Sequence, residues 1–207
     1  MTSAKKKAER IAAAIAKANS LAEEAAKAAS LENTIQAGRA LRGDDEQEFR
    51  RLFPACDVGL RFIYRRLLDG GEVESDLFAS ACYGIMNRKK DDLARLVVER
   101  MIMEGIDLRT HRTNQMGFTT LMMAATHCSK ELLEFLLPRS DVNATTTDGQ
   151  SAAQLAREIG RIENANYIEA YLLSEKEAEV MFDDIPIPRP RKRKSIDDRP
   201  EPNEASH

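Results

Sequence analysis

Two consecutive stretches of this chain, IDLRTHRTNQMGFTTLMMAATHCSKELLEFLL (Ile106–Leu137) and DVNATTTDGQSAAQLAREIGRIENANYIEAYLL (Asp141–Leu173), follow one pattern. Each opens on an aspartate-led polar turn, reaches a glycine (Gly117 or Gly149), and runs through two apolar segments to a Leu-Leu pair. The two glycines lie 32 positions apart. A unit of that length is too small to bury its own apolar face, so copies must stack and share a core. The result is a solenoid, whose function lies on an extended surface and not in a closed pocket.

The same rhythm continues upstream in weaker form. Leu77, Phe78 and Ala81, then Leu93, Leu96, Val97 and Met101, stand at helical spacing and predict a helix pair over Asp76–Tyr83 and Asp91–Glu104, stopped by Gly105. Before it, Glu46–Phe53 and Val58–Leu68 predict another pair, broken at Pro54 and closed by Asp69-Gly70-Gly71. Gly70 and Gly105 are 35 positions apart, close to the later period. The expected fold is therefore all-α, with about four stacked helix pairs, two clear and two degenerate.

The residues that carry the repeat also carry a family resemblance. Asp141, Val142, Asn143, Ala144, Asp148 and Gly149 in the turn, with Gly117, Thr119, Leu121 and Ala124 at the helix opening, resemble the ankyrin repeat family. That resemblance implies an ankyrin-type helical solenoid that binds another protein through its turn tips and the concave face of its first helices. On those surfaces it places Arg109, His111, Arg112, Asn114 and Gln115 of the longer turn and Thr145, Thr146 and Thr147 of the shorter one. Met122, Met123, Thr126 and His127 join them from the first helix. The two arginines suit an acidic partner, and methionine adapts to varied surfaces. Thr120 and Ala152 stand where the family has Pro, and Met122 and Gln154 where it has His. The resemblance then implies a lost φ restraint and a lost turn-stabilising hydrogen bond, and repeats less stable than the consensus.

Composition agrees with a helical chain built on small residues. Of 207 residues 43% are hydrophobic but only 5% aromatic, with no Trp, so Ala, Leu, Ile and Met must make the core. No run of about 18 apolar residues occurs, which excludes a hydrophobic membrane span. The start, MTSAKKKAERIAAAIAKANS, is basic but lacks a long apolar segment and carries Glu9, so it does not read as a secretory signal. Cys56, Cys82 and Cys128 have no metal-ligand spacing and read as buried reduced thiols of a cytoplasmic protein.

Charge divides the chain into three segments. Residues 1–43 hold 8 basic and 4 acidic side chains, residues 44–174 hold 16 and 21, and residues 175–207 hold 7 and 9. A mildly acidic repeat body offers no dense basic face for phosphates, so nucleic acid is not an expected ligand of the repeats. The first segment is an Ala/Lys-rich helical arm in which Ile11, Ile15, Ala18, Ala22, Ala25 and Ala29 form a narrow seam. It reads as a solvated helix leaning on the first repeat, with self-association through a coiled coil as the alternative. The last segment opens on a short helix, Glu175–Phe182, and continues into a Pro-rich stretch expected to be disordered. There Arg189, Arg191, Lys192, Arg193 and Lys194 form a basic cluster with the composition of a nuclear import signal.

Catalysis has no constellation to rest on. The histidines are His111, His127 and His207, and His127 adjoins Cys128 on a helix, where neighbouring side chains point apart. No glycine-rich phosphate loop, HExxH or GxSxG is present, and nothing calls for a cofactor. The expected function is a protein-interaction module, adaptor or inhibitor, with a nucleus-directed regulator delivered by the basic tail as the alternative.

Overall fold

A computed structural model describes residues 3–66, 71–88 and 91–183. Its elements are α1 (Ser3–Arg42), α2 (Glu46–Leu52), β1 (Phe62–Arg66), β2 (Glu72–Ser75), α3 (Leu77–Arg88) and α4 (Asp92–Met103). They continue with α5 (Thr120–His127), α6 (Lys130–Leu136), α7 (Ala152–Glu158) and α8 (Ile162–Asp183). The described residues up to Leu172 form one compact unit, and residues 173–183 belong to a second.

Helices pair in sequence as α1 with α2, α3 with α4, and α5 with α6. The first members stack on one another, α1 on α3, α3 on α5 and α5 on α7, so they form the spine of an all-α helical solenoid. Leu77, Phe78, Val97, Met101, Leu121, Met123, Leu133 and Leu136 lie fully buried along it, and Ala79, Ala94, Ala124, Ala125 and Ala156 let neighbouring helices close up. Gly117 and Gly149 occupy equivalent places, with φ of +78° and +80°. An L side chain is strained in that left-handed region, which is why each repeat has glycine there.

The helix openings are capped in the same way. The Thr119 hydroxyl accepts the Met122 N–H at 3.1 Å, and the Ser151 hydroxyl accepts that of Gln154 at 3.3 Å. Met122 and Gln154, the residues standing where histidine was expected, return the bond. The Met122 sulfur accepts the Thr119 N–H at 3.4 Å, and Gln154 Oε1 accepts the Ser151 N–H at 2.8 Å. Both therefore complete a capping box, and the hydrogen bond expected to be lost is supplied by other atoms.

The first repeat differs from its expected form. In the expected helix Val58–Leu68 the described residues, 58–66, are not helical: Phe62–Arg66 is a strand paired antiparallel with Glu72–Ser75, with Phe62 opposite Ser75 and Ile63 opposite Glu74. Phe62 is buried and its neighbour Ile63 exposed, as on the two faces of a half-buried strand, and the strand pairing overrides the helical spacing expected for the segment. The partner of α2 is instead the end of α1, where Thr34, Ala37, Ala40 and Leu41 are buried. A Cβ on Gly84 of α3 would sit 2.7 Å from the Leu41 carbonyl oxygen, so these two helices touch backbone to backbone. Between α1 and α2 the chain turns at Asp44, φ +70°, and Asp45 caps α2 by accepting the Glu48 N–H at 2.9 Å. Arg100 of α4 clamps the segment that follows, donating to the carbonyls of Phe53 at 2.7 Å and Cys56 at 3.3 Å.

At the other end, Asn164 of α8 donates to the carbonyls of Ala125 and Cys128, at 2.9 and 3.0 Å. α8 runs on through the expected helical extension to Asp183, and the Pro-rich segment beyond lies outside the described residues. Among the described residues no helix is long and apolar enough to cross a membrane.

Candidate functional site

Three connections between repeats project as fingers: the β1–β2 hairpin, residues 107–118, and residues 141–151. The second and third are built alike. Asp107 Oδ1 accepts the Arg109 N–H and Asp141 Oδ1 accepts that of Asn143, both at 3.0 Å. Further along, the Thr113 N–H donates to the Phe118 carbonyl at 2.8 Å, and the Thr146 N–H donates to that of Gln150 at 3.0 Å. Leu108 and Val142, next to the aspartates, plug each finger into the core.

The fingers are also joined edge to edge. Gln115 Oε1 accepts the Glu74 N–H at 2.8 Å, and its Nε2 donates to the Glu72 carbonyl at 3.0 Å, so one side chain zips the second finger to β2. The Asp76 N–H donates to the Thr113 carbonyl at 3.0 Å, and Ser75 and Asn114 form a bridge. On the other edge, Thr147 donates to the Met116 carbonyl through its N–H at 3.1 Å and its hydroxyl at 3.2 Å.

Of the twelve residues expected at the partner surface, eleven divide into three groups and His127 stands apart. Arg109, Gln115, Thr145 and Thr147 are exposed on the fingers. His111, Arg112, Asn114 and Thr146 hold the fingers together. His111 binds the buried Asp76, Arg112 donates to the carbonyls of Arg109, Thr110 and His111, Asn114 Oδ1 accepts the N–H groups of Met116 and Phe118, and Thr146 Oγ1 accepts that of Gln150. Met122, Met123 and Thr126 are core residues, buried between stacked helices and absent from the surface. The reason is periodic: α5 has neighbours on both sides in the stack, so all seven residues from Thr120 to Thr126 are buried.

His127 is half-buried at the end of α5, its ring edge-on to Tyr83 of α3 at 5.1 Å between centroids. Burial holds its imidazole below the ordinary value, opposed by the bond to the Met123 carbonyl. Two residues not foreseen as surface groups stand out on the fingers, Ile63 at 42% and Met116 at 49% exposure. Their signal in the sequence was position alone, an apolar side chain at a turn beside Gly117 or on the outward side of a strand.

Among the described residues no group of His, Cys, Asp and Glu is placed to hold a metal ion. Cys82 and Cys128 approach to 3.5 Å between sulfurs, and burial pushes the Cys82 thiol well above its ordinary value, which keeps it protonated. The basic cluster Arg189, Arg191, Lys192, Arg193 and Lys194 lies outside the described residues.

Residues 101–156, which hold the second and third fingers together with α5, α6 and most of α7, match the family described as ankyrin repeats (many copies). The chain carries ankyrin repeats. An ankyrin repeat is in general a non-enzymatic interaction module. Among solved structures, the ankyrin chain is similar to one titled "Bd0816 Predatory Endopeptidase from Bdellovibrio bacteriovorus in complex with immunity protein Bd3460". Identity is 20%, the TM-score 0.47, and the match covers 65% of this chain and 62% of that one. The ankyrin chain thus spans less than two thirds of the length of that relative. No curated protein matches it.

Proposed function

We propose that this chain is an adaptor or inhibitor that binds another protein through its row of fingers and the adjoining ends of α3 and α5. The observation that carries this reading is the edge-to-edge bonding by Gln115 and Thr147, which joins β2 and the two following loops before any partner arrives. A loop already ordered loses little conformational entropy on binding, so its contacts count almost in full toward affinity. The row presents Ile63 and Met116 as apolar anchors, with Arg109, Thr145 and Thr147 as polar neighbours. His127 of α5 and Tyr83 of α3, whose rings meet edge-on, extend the proposed surface.

Affinity capture from native lysate, followed by mass spectrometry, tests it with the double variant Ile63→Lys and Met116→Asp. Wild type should recover a stoichiometric partner and the variant lose it by about 30-fold in affinity, the effect of removing two anchors of about 1 kcal/mol each. Undiminished capture by the variant would show that the fingers are not the binding face. The alternative, a nucleus-directed regulator, rests on the Arg189–Lys194 cluster of the sequence. Replacing Lys192, Arg193 and Lys194 with Ala should then abolish nuclear accumulation of the tagged protein.

A further inference from the structure

Among the described residues no element covers the amino-terminal part of α1. Every residue from Ile11 to Ala29 is exposed, Ile11 at 52%, Ile15 at 56% and Leu21 at 57%, over a length of about 28 Å at 1.5 Å per residue. Ile11, Ile15, Ala18, Ala22, Ala25 and Ala29 succeed one another in alternating steps of four and three, which lays them along one stripe of the helix.

Charge along the same helix changes sign. Residues 3–17 hold Lys5, Lys6, Lys7, Arg10 and Lys17 against Glu9, whereas residues 18–32 hold Glu23, Glu24 and Glu32 against Lys27. The complementary partner for such a helix is the same helix turned end for end. Antiparallel pairing sets each basic half beside an acidic half, while parallel pairing would set Lys5–Lys7 against Lys5–Lys7. A helix adapted to an anionic membrane surface would instead carry cations along its whole length.

We infer that the stripe is covered by a second copy of this chain, α1 against α1, in an antiparallel two-fold dimer. The register follows from side-chain size. Ile11 faces Ala22 of the partner subunit and Ile15 faces Ala18 of the partner subunit, and the two-fold axis repeats both pairs, so each of these central layers sets a large side chain on a small one. Alanine lets the helix axes approach closely, and Leu21 flanks the seam. The dimer joins two finger rows through one helical stalk, and it stands or falls independently of what those fingers bind.

Light scattering on the full chain after size-exclusion chromatography is the direct test. The expected mass is twice the 23.2 kDa of one chain. Ile11→Asp with Ile15→Asp should halve it while leaving thermal unfolding of the repeats unchanged. Ile11→Ala with Ile15→Ala, which empties the seam while raising helix propensity, should halve it too. Orientation is read by cross-linking under mild oxidation: Ile11→Cys chains mixed with Ala22→Cys chains should link faster than Ile11→Cys chains alone. A monomer mass at every concentration, a dimer that survives both double variants, or self-linking of Ile11→Cys chains at the mixed rate would overturn the inference. So would monomers that bind anionic vesicles through α1.

Discussion

Nε2 of His111, on the second finger, lies 2.7 Å from Oδ2 of Asp76, the residue that opens α3. The other oxygen of the same carboxyl accepts the Ala79 N–H at 2.8 Å. One fully buried acid thus caps the inner helix of one repeat and holds the finger of the next. Burial pushes its carboxyl above the ordinary range, opposed by the hydrogen bonds from His111 and Ala79.

A pH dependence of stability follows. Because the folded value lies above the unfolded one, the contribution of Asp76 is complete at low pH and is lost as pH rises through the folded value. Asp76→Asn keeps the shape without the charge, its Oδ1 accepting the Ala79 N–H and its Nδ2 donating to the Nε2 lone pair of the other His111 tautomer. The urea midpoint of Asp76→Asn should therefore rise relative to wild type between about pH 4 and pH 7. His111→Ala, which strips the buried carboxylate of its donor, should cost about 3 kcal/mol at neutral pH.

Thr120 is the first residue of α5, and its buried hydroxyl has no hydrogen-bond partner. Thr119 before it is extended, φ −82° and ψ 166°, the conformation that a following proline requires. Thr120→Pro removes the unpaired oxygen and pre-sets φ at a position where the N–H has no intrahelical acceptor. Denaturant titration should show a gain of about 1 kcal/mol. A loss would mean that the ring collides with the neighbouring repeat.

Gly84 marks the closest approach of α1 to α3. Alanine there would gain about 1 kcal/mol of helix propensity but force its methyl group onto the Leu41 carbonyl. Overpacking against a backbone atom costs about 1–3 kcal/mol, so Gly84→Ala should lower stability and weaken hydrogen-exchange protection in Thr34–Leu41. Gly105→Ala is the contrast. Open space surrounds Gly105, and the cost of about 1–2 kcal/mol comes from its φ of +79° alone, with α1 protection unchanged.

His127 carries a second pH signature, of opposite sign to that of Asp76. Its folded value lies below the ordinary 6.5, so the unfolded chain takes up a proton first and stability is lost as pH falls below that point. Thermal melts at pH 7.5 and pH 5.5 should show a larger drop for wild type than for His127→Phe, which keeps an aromatic edge against Tyr83 and cannot titrate. Equal drops would place the imidazole in solvent.

Much of this was legible along the chain. Gly105, Gly117 and Gly149 mark helix stops and turns where φ is positive, and the apolar spacing of Leu93, Val97 and Met101 locates α4 within a residue or two. The first repeat was harder. Phe62–Arg66 is too short for its two-residue period to outweigh a background of helical spacing. The end of α1 has the same alanine-rich composition as its solvated part, so nothing local distinguishes Ala37 and Ala40, buried, from Ala22 and Ala25, exposed. The interaction surface was legible only as a location. Arg112 and Asn114 look like surface groups in a polar turn, yet both spend their hydrogen bonds on their own finger.

Repeat length, helix limits, capping residues and the stacked all-α architecture are local or periodic properties, set by which side chains follow one another within a few turns. Which polar residues face a partner is a different kind of quantity, because it depends on what lies alongside. Gln115 is committed by a strand more than 40 positions earlier and Met116 by a threonine 31 positions later, pairings that exist once the fingers stand side by side. Only packing brings those atoms together, so only the folded chain decides whether a polar side chain builds the surface or is presented by it.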